Sequence, residues 1–177
     1  ELFDEDGQTA LEQRLTAMIG AAGGRVHLGR SRNDQVLTAL RLYLRDAVKQ
    51  IAHGAIDVAE ALERLATREG ALVIPGYTHM QRAQPVLLSH HLRAHAWAFT
   101  RDVGRLADAC VRLDVSPLGA GALAGTSLPT NARDAQQRLG FADVFANSLD
   151  AVSDRDFVAE GIFALTLIGV HLSRLGE

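Results

Sequence analysis

A single cysteine, Cys110, stands among the 177 residues, so no internal disulfide framework can staple the fold. Aromatic residues are scarce, at 5% of the chain, which leaves the core mainly to aliphatic side chains within a 47% hydrophobic content. The four prolines, Pro75, Pro85, Pro117 and Pro129, all fall between long periodic segments and punctuate connections. Neither sign of charge dominates, with 18 Lys and Arg scattered among 21 Asp and Glu for a net charge of -3. No basic stripe offers the footprint of a nucleic-acid binder. The longest strongly apolar run, Gly161 to Val170, ends at His171, well short of the roughly 20 residues of a bilayer-spanning helix, so no membrane partner is expected. No signal-peptide pattern opens the chain, which makes a reducing cytoplasm the expected compartment. The chain starts at Glu1 without a Met and stops at Glu177 while a helical pattern is still running, as an internal piece of a longer protein would.

What is abundant is helical periodicity. Val36, Leu40, Leu44, Ala47, Ile51, Ala55, Val58, Leu62 and Leu65 recur every three or four residues, predicting a long helix over about 34–69. Gly54 in its middle would allow a close helix neighbour. After Pro85, Leu88, Leu92, Ala96, Phe99, Val103, Leu106, Cys110 and Leu113 predict a second long helix over about 86–115, with Cys110 an inert thiol on its apolar stripe. A third, over about 154–177, is apolar on nearly every face apart from Glu160, His171 and Arg174. Shorter helices are expected within 1–33, at Thr9–Ile19, and at Thr130–Leu139. Strand signals are weak, with only Leu72–Ile74 suggestive. The expected fold class is all-α, a single domain fragment over 1–177 built on long bundle helices. Helices with such wide apolar faces bury too little of themselves in one chain, which argues for self-association.

Two polar segments could carry chemistry. Gly29-Arg30-Ser31-Arg32-Asn33-Asp34-Gln35 lies where the first long helix begins. There, free N–H groups, the helix dipole and the Arg and Asn side chains suit a carboxylate. Equally, Asn33 or Asp34 could cap the helix beside solvated arginines. The second segment, Gly76-Tyr77-Thr78-His79-Met80-Gln81-Arg82-Ala83-Gln84-Pro85, is a polar connection. Its His79 could act as a general acid or base, or could simply be a hydrogen-bonded loop histidine. His91 and His95 have metal-ligand spacing, but Leu92 replaces the Glu of the metalloprotease pattern, so a polar helix face is expected. Ser116–Gly125 lacks the Lys-Ser/Thr ending of a phosphate loop, and Ser153 resembles a cap for the last helix.

Taken together, Val26-His27-Leu28-Gly29-Arg30-Ser31-Arg32-Asn33-Asp34-Gln35-Val36 and Tyr77-Thr78-His79-Met80-Gln81-Arg82-Ala83-Gln84-Pro85 resemble the first two signatures of the argininosuccinate lyases, in the fumarase and aspartase superfamily. Ser116–Gly125 and Asn147–Glu160 are similar to later segments of that family. The resemblance implies a homotetramer with a central helix bundle, its active sites assembled from three subunits. It implies that Asn33 and Thr78 bind argininosuccinate with Ser31 and Arg32 beside them, and that His79 takes part in proton transfer. The reaction would be elimination of fumarate to leave arginine, as in arginine biosynthesis, with no metal or organic cofactor. Two departures stand out. Gln8 occupies the place of a common histidine in the acidic stretch Glu5–Glu12. The third signature, Gly-Ser-Ser-x-Met-Pro-x-Lys-x-Asn-Pro, would lie beyond Glu177, which implies that this piece alone is inactive. The alternatives are another fumarate-yielding lyase of the superfamily and a non-catalytic helical assembly protein.

Overall fold

The apolar periodicity through the middle of the chain closes into one uninterrupted helix. The computed structural model describes residues 7–177; Glu5 and Asp6 of the acidic stretch lie outside the described residues. In chain order come α1 (Gly7–Ile19), a 3-10 helix (Gly20–His27), α2 (Arg32–Arg68), β1 (Val73–Thr78), β2 (Gln81–Leu87), α3 (Leu88–Leu113), β3 (Val115–Ser116), α4 (Ala132–Leu139), β4 (Asp143–Val144), α5 (Ser148–Ser153) and α6 (Asp156–Gly176). About 70% of the described residues are helical, the all-α class expected. It divides into two compact units, Glu1–Leu44 with Leu113–Arg155, and Arg45–Arg112 with Asp156–Glu177.

In the first unit, short elements are held by caps and by long-range polar ties. Asn131 caps α4 by accepting from Arg133 N–H, and Gly140 ends that helix in the left-handed conformation, φ 67°. Asn147 caps α5, accepting from the Leu149 and Asp150 N–H groups. Ser153 does not cap the last helix. Its hydroxyl donates back to Leu149 O and Asp150 O and so closes α5, because a hydroxyl in a helix's last turn finds those carbonyls within reach. Strands β3 and β4 pair in parallel, Val115 with Asp143 and Ser116 with Val144. Buried Arg41 of α2 donates to Leu113 O at 3.2 Å and to the Asp154 carboxylate. Burial pulls the Arg41 guanidinium below its ordinary range, and the charge of Asp154 opposes that pull.

The second unit has an aliphatic core of Leu62, Ala66, Leu92, Ala96 and Phe99, with Ile168 and Leu175 of α6 packed against it. Its polar residues meet partners across helices. Arg93 grips Glu63 with contacts of 2.7 to 3.0 Å, Arg112 pairs with Glu160, and His171 Nδ1 lies 2.5 Å from buried Asp102. Helix α6 is long and apolar enough to fit a membrane span by length and composition. That is a longer apolar reach than the ten-residue run suggested. Yet Glu160 and His171 commit part of it to α3, while Ile162, Phe163, Leu165, Val170 and Leu172 are exposed. A Cβ at Gly54 would meet nothing within 4 Å, so no close helix neighbour among the described residues explains that glycine.

The polar connection after α2 departs from expectation, since it is an antiparallel hairpin of β1 and β2. Only Ile74, Gly76 and Val86 are half-buried and the rest is exposed, so the alternation by which a half-buried strand is read is confined to the hairpin's base and absent from its polar length. Pro75 sits opposite Pro85, tolerated because a two-stranded ribbon is all edge. The register slips between Pro75 and Tyr77. At the intervening Gly76 a Cβ would lie 2.7 Å from Gln84 O, so only glycine allows the strands to approach there.

Candidate active site

The first signature segment begins α2, and its side chains are already committed to one another. Ser31 Oγ accepts from Asn33 N–H at 3.2 Å, while Asp34 Oδ1 accepts from Ser31 N–H at 2.9 Å. Asp34 supplies the returning half of a capping box, with Asp in the place of Glu, while the Ser31 hydroxyl takes the N–H one residue earlier, at Asn33. The cap is therefore Ser31, with Asp34 returning the bond, and not Asn33. Two N–H groups at this helix start are occupied, so an incoming anion would have to be recognised chiefly by side chains.

Asp34 also reaches across the unit. Its Oδ2 accepts from Gly119 N–H at 3.1 Å and from Gly121 N–H at 2.9 Å, and the residue is fully buried. Both glycines have positive φ, 111° and 63°. A Cβ at Gly119 would lie 2.7 Å from that of Ala132, and one at Gly121 would lie 2.6 Å from Gly125 O. The loop thus needs glycine both for its turn and for its closeness. One residue further, Ala122 O accepts from Asn33 Nδ2 at 3.1 Å. Asn33 remains exposed, with a second amide N–H and its oxygen still to offer. Arg32 donates to Thr9 Oγ1 of α1. A cleft of about 470 Å³ beside these residues is lined by Gly29, Arg30, Ser31, Gly121, Thr126 and Ser127, among others.

The second signature segment forms the hairpin tip. Thr78 pairs with Gln81, leaving His79 and Met80 as a two-residue turn with φ of 51° and 61°. Consecutive positive φ values normally call for Asn-Gly, and non-glycine residues there carry strain of roughly 1–2 kcal/mol each. Tyr77, Thr78, His79 and Met80 are all exposed, Met80 almost completely at 98%. Ser31, Arg32 and Asn33 belong to the first unit, Thr78 and His79 to the second.

On α3 the rings of His91 and His95 meet edge to face at 5.0 Å. Burial, then the charges of His91 and Arg174, hold His95 below the usual histidine range. Among the described residues, no three His, Cys, Asp or Glu side chains converge as metal ligands would.

The whole chain, residues 1–177, matches the model of a protein family described as Lyase. The chain belongs to this lyase family. It is 55% identical over 174 residues to proteins named argininosuccinate lyase from Frankia casuarinae and Acidothermus cellulolyticus, matches that cover 98% of this chain but 38% and 36% of those proteins. The chain therefore spans little more than a third of the curated relatives it matches. Among solved structures, an EDDS lyase in complex with formate superposes with a TM-score of 0.89 at 34% identity, covering 97% of this chain and 35% of that one.

Within this lyase frame, one structurally central residue was not singled out by sequence reasoning. Asp34 was read as a possible cap and nothing more, although the spacing Ser31-x-x-Asp34 signalled the reciprocal bond. Its ties to Gly119 and Gly121 had no local signal.

Proposed function

We propose that the enzyme containing this chain is an argininosuccinate lyase, which eliminates fumarate from argininosuccinate to give arginine. The observation that carries this reading is the 55% identity, over nearly the whole chain, to two proteins so named. A base removes a proton from the succinyl carbon beside a carboxylate, negative charge gathers on that carboxylate, and the carbon–nitrogen bond to the guanidinium breaks. Donors aimed at the developing charge lower this barrier, each contributing on the order of 3 kcal/mol where measured in other enzymes. Asn33 and Thr78 are such donors, with Ser31 and Arg32 beside them, and His79 holds or relays the proton. Ser31 serves through its cap, by setting the start of α2 from which Asn33 projects.

The exposed apolar residues of α6 and the exposed tip at Thr78 and His79 suit a homotetramer in which neighbouring subunits complete each site. A role in arginine biosynthesis follows from the reaction, and a cytoplasmic place is part of the same proposal. The reading is tested by incubating the full-length enzyme with argininosuccinate and following fumarate absorbance. Release of fumarate at an enzymatic rate is expected; its absence, with fumarate released from another amino-dicarboxylate adduct, would reassign the substrate. The likeness to EDDS lyase makes such adducts the natural comparison.

A further inference from the structure

We propose that Asp34 is a positioning residue for the lyase reaction, its buried carboxylate locking the loop of Gly119 and Gly121 onto the first turn of α2 so that the Asn33 amide is aimed. This rests on the reading of the site given above. Three backbone donors converge on one side chain that is fully buried: Ser31 N–H at 2.9 Å on Oδ1, and Gly119 and Gly121 N–H at 3.1 and 2.9 Å on Oδ2.

A carboxylate is the side chain that suits this place. Both of its oxygens only accept, so all three N–H groups are met at once. An amide in the same position would turn its NH₂ toward Ser31 N–H or toward the two glycine N–H groups, donor against donor. The negative charge also sits in the first turn of a 37-residue helix, where the helix dipole favours it.

The consequence for Asn33 is geometric. Its Nδ2 donates to Ala122 O, the carbonyl directly after Gly121, so the loop that Asp34 holds is the same loop that orients the Asn33 amide. Asp34 and Asn33 are adjacent in the chain yet grip consecutive residues of a segment more than eighty positions away. Release of the loop frees the amide to turn, and misplacement by about 1 Å in a substrate-holding group can cost 10²-fold in rate.

The test is a double-mutant cycle in the full-length enzyme, with fumarate release from argininosuccinate as the readout and circular dichroism and light scattering as controls for fold and assembly. Asp34→Asn is expected to lower kcat by about 10²-fold. In the double variant Asp34→Asn/Asn33→Ala, kcat is expected to fall no further than with Asn33→Ala alone, because Asp34 acts through Asn33. A merely structural aspartate would give losses that multiply, and that result in an active wild type overturns the positioning role while leaving the lyase reading intact. A wild-type enzyme that releases no fumarate overturns the lyase reading itself and removes the reaction Asp34 would serve. If Asp34→Asn does not fold, Gly121→Ala disturbs the same loop from the other side, since its Cβ would meet Gly125 O. The same non-multiplying loss with Asn33→Ala is expected, and a multiplying one overturns the proposal.

Discussion

The two signature segments are built in opposite ways. Around Ser31-Arg32-Asn33-Asp34 the polar groups are spent on one another and on a glycine loop, with the central carboxylate sealed from solvent. Around Thr78-His79-Met80 they stand at the tip of an exposed hairpin whose turn is strained. The first segment is a finished scaffold that presents one amide; the second presents its chemistry outward. A buried network is rigid because every loss leaves an unpaired group, whereas an exposed strained turn owes its conformation to the ladder beneath it.

The largest effect is expected from undermining the scaffold. Arg41→Ala removes the buried guanidinium that bonds Leu113 O and the half-buried Asp154 carboxylate, and a loss of about 2 kcal/mol or more is expected in chemical denaturation. A loss below about 1 kcal/mol would mean that the first region is not held by its buried ties.

The hairpin can be challenged without harming its fold. Asparagine tolerates the left-handed conformation that His79 adopts at φ 51°, so His79→Asn keeps or improves the turn while removing the titratable ring. Turnover in the full-length enzyme is expected to drop by about 10²-fold or more with assembly unchanged. Near-normal turnover in a stable enzyme would make His79 a turn residue only.

Strain itself can be measured at the next position. Met80→Gly relieves a positive φ of 61°, and a gain of up to about 1 kcal/mol is expected in thermal or denaturant unfolding. No gain would show that the turn is unstrained and would blur the contrast between the two segments.

The smallest effect concerns pH, in the unit that carries the hairpin. His95 is held below its usual range by burial first, so the folded chain binds fewer protons there than the unfolded chain. Its share of stability is complete above the unfolded histidine value of about 6.5 and is lost as pH falls from there through the folded value. His95→Gln is therefore expected to flatten the fall in stability between about pH 7 and 5. An unchanged profile in denaturation series would place that sensitivity elsewhere.

Much of the molecule was legible from local spacing. The three- and four-residue recurrence from Val36 to Leu65 and from Leu88 to Leu113 specified long helices, because helical period and side-chain face are properties of consecutive residues. Ser116–Gly125 was read only as lacking the ending of a phosphate loop, and nothing in it told which group its glycines would embrace. Of the β1–β2 hairpin only the start was legible, in the strand signal at Leu72–Ile74. Beyond Ile74, Gly76 and Val86 its residues are exposed, so the pattern that marks a strand was missing from most of its length, and pairing defines it there.

What the amino-acid sequence determined by itself is the helical class, the Ser31-x-x-Asp34 spacing that starts α2, and the positions where only glycine can turn. Each depends on dihedral preferences and on partners within about one helical turn. What only the tertiary structure decided is where the second oxygen of Asp34 goes, that Asn33 leans on Ala122 O, and that Arg41 finds Asp154. Those bonds join residues about 85 to 113 positions apart. They form only when folding has closed the intervening chain, and no spacing within either segment encodes that closure.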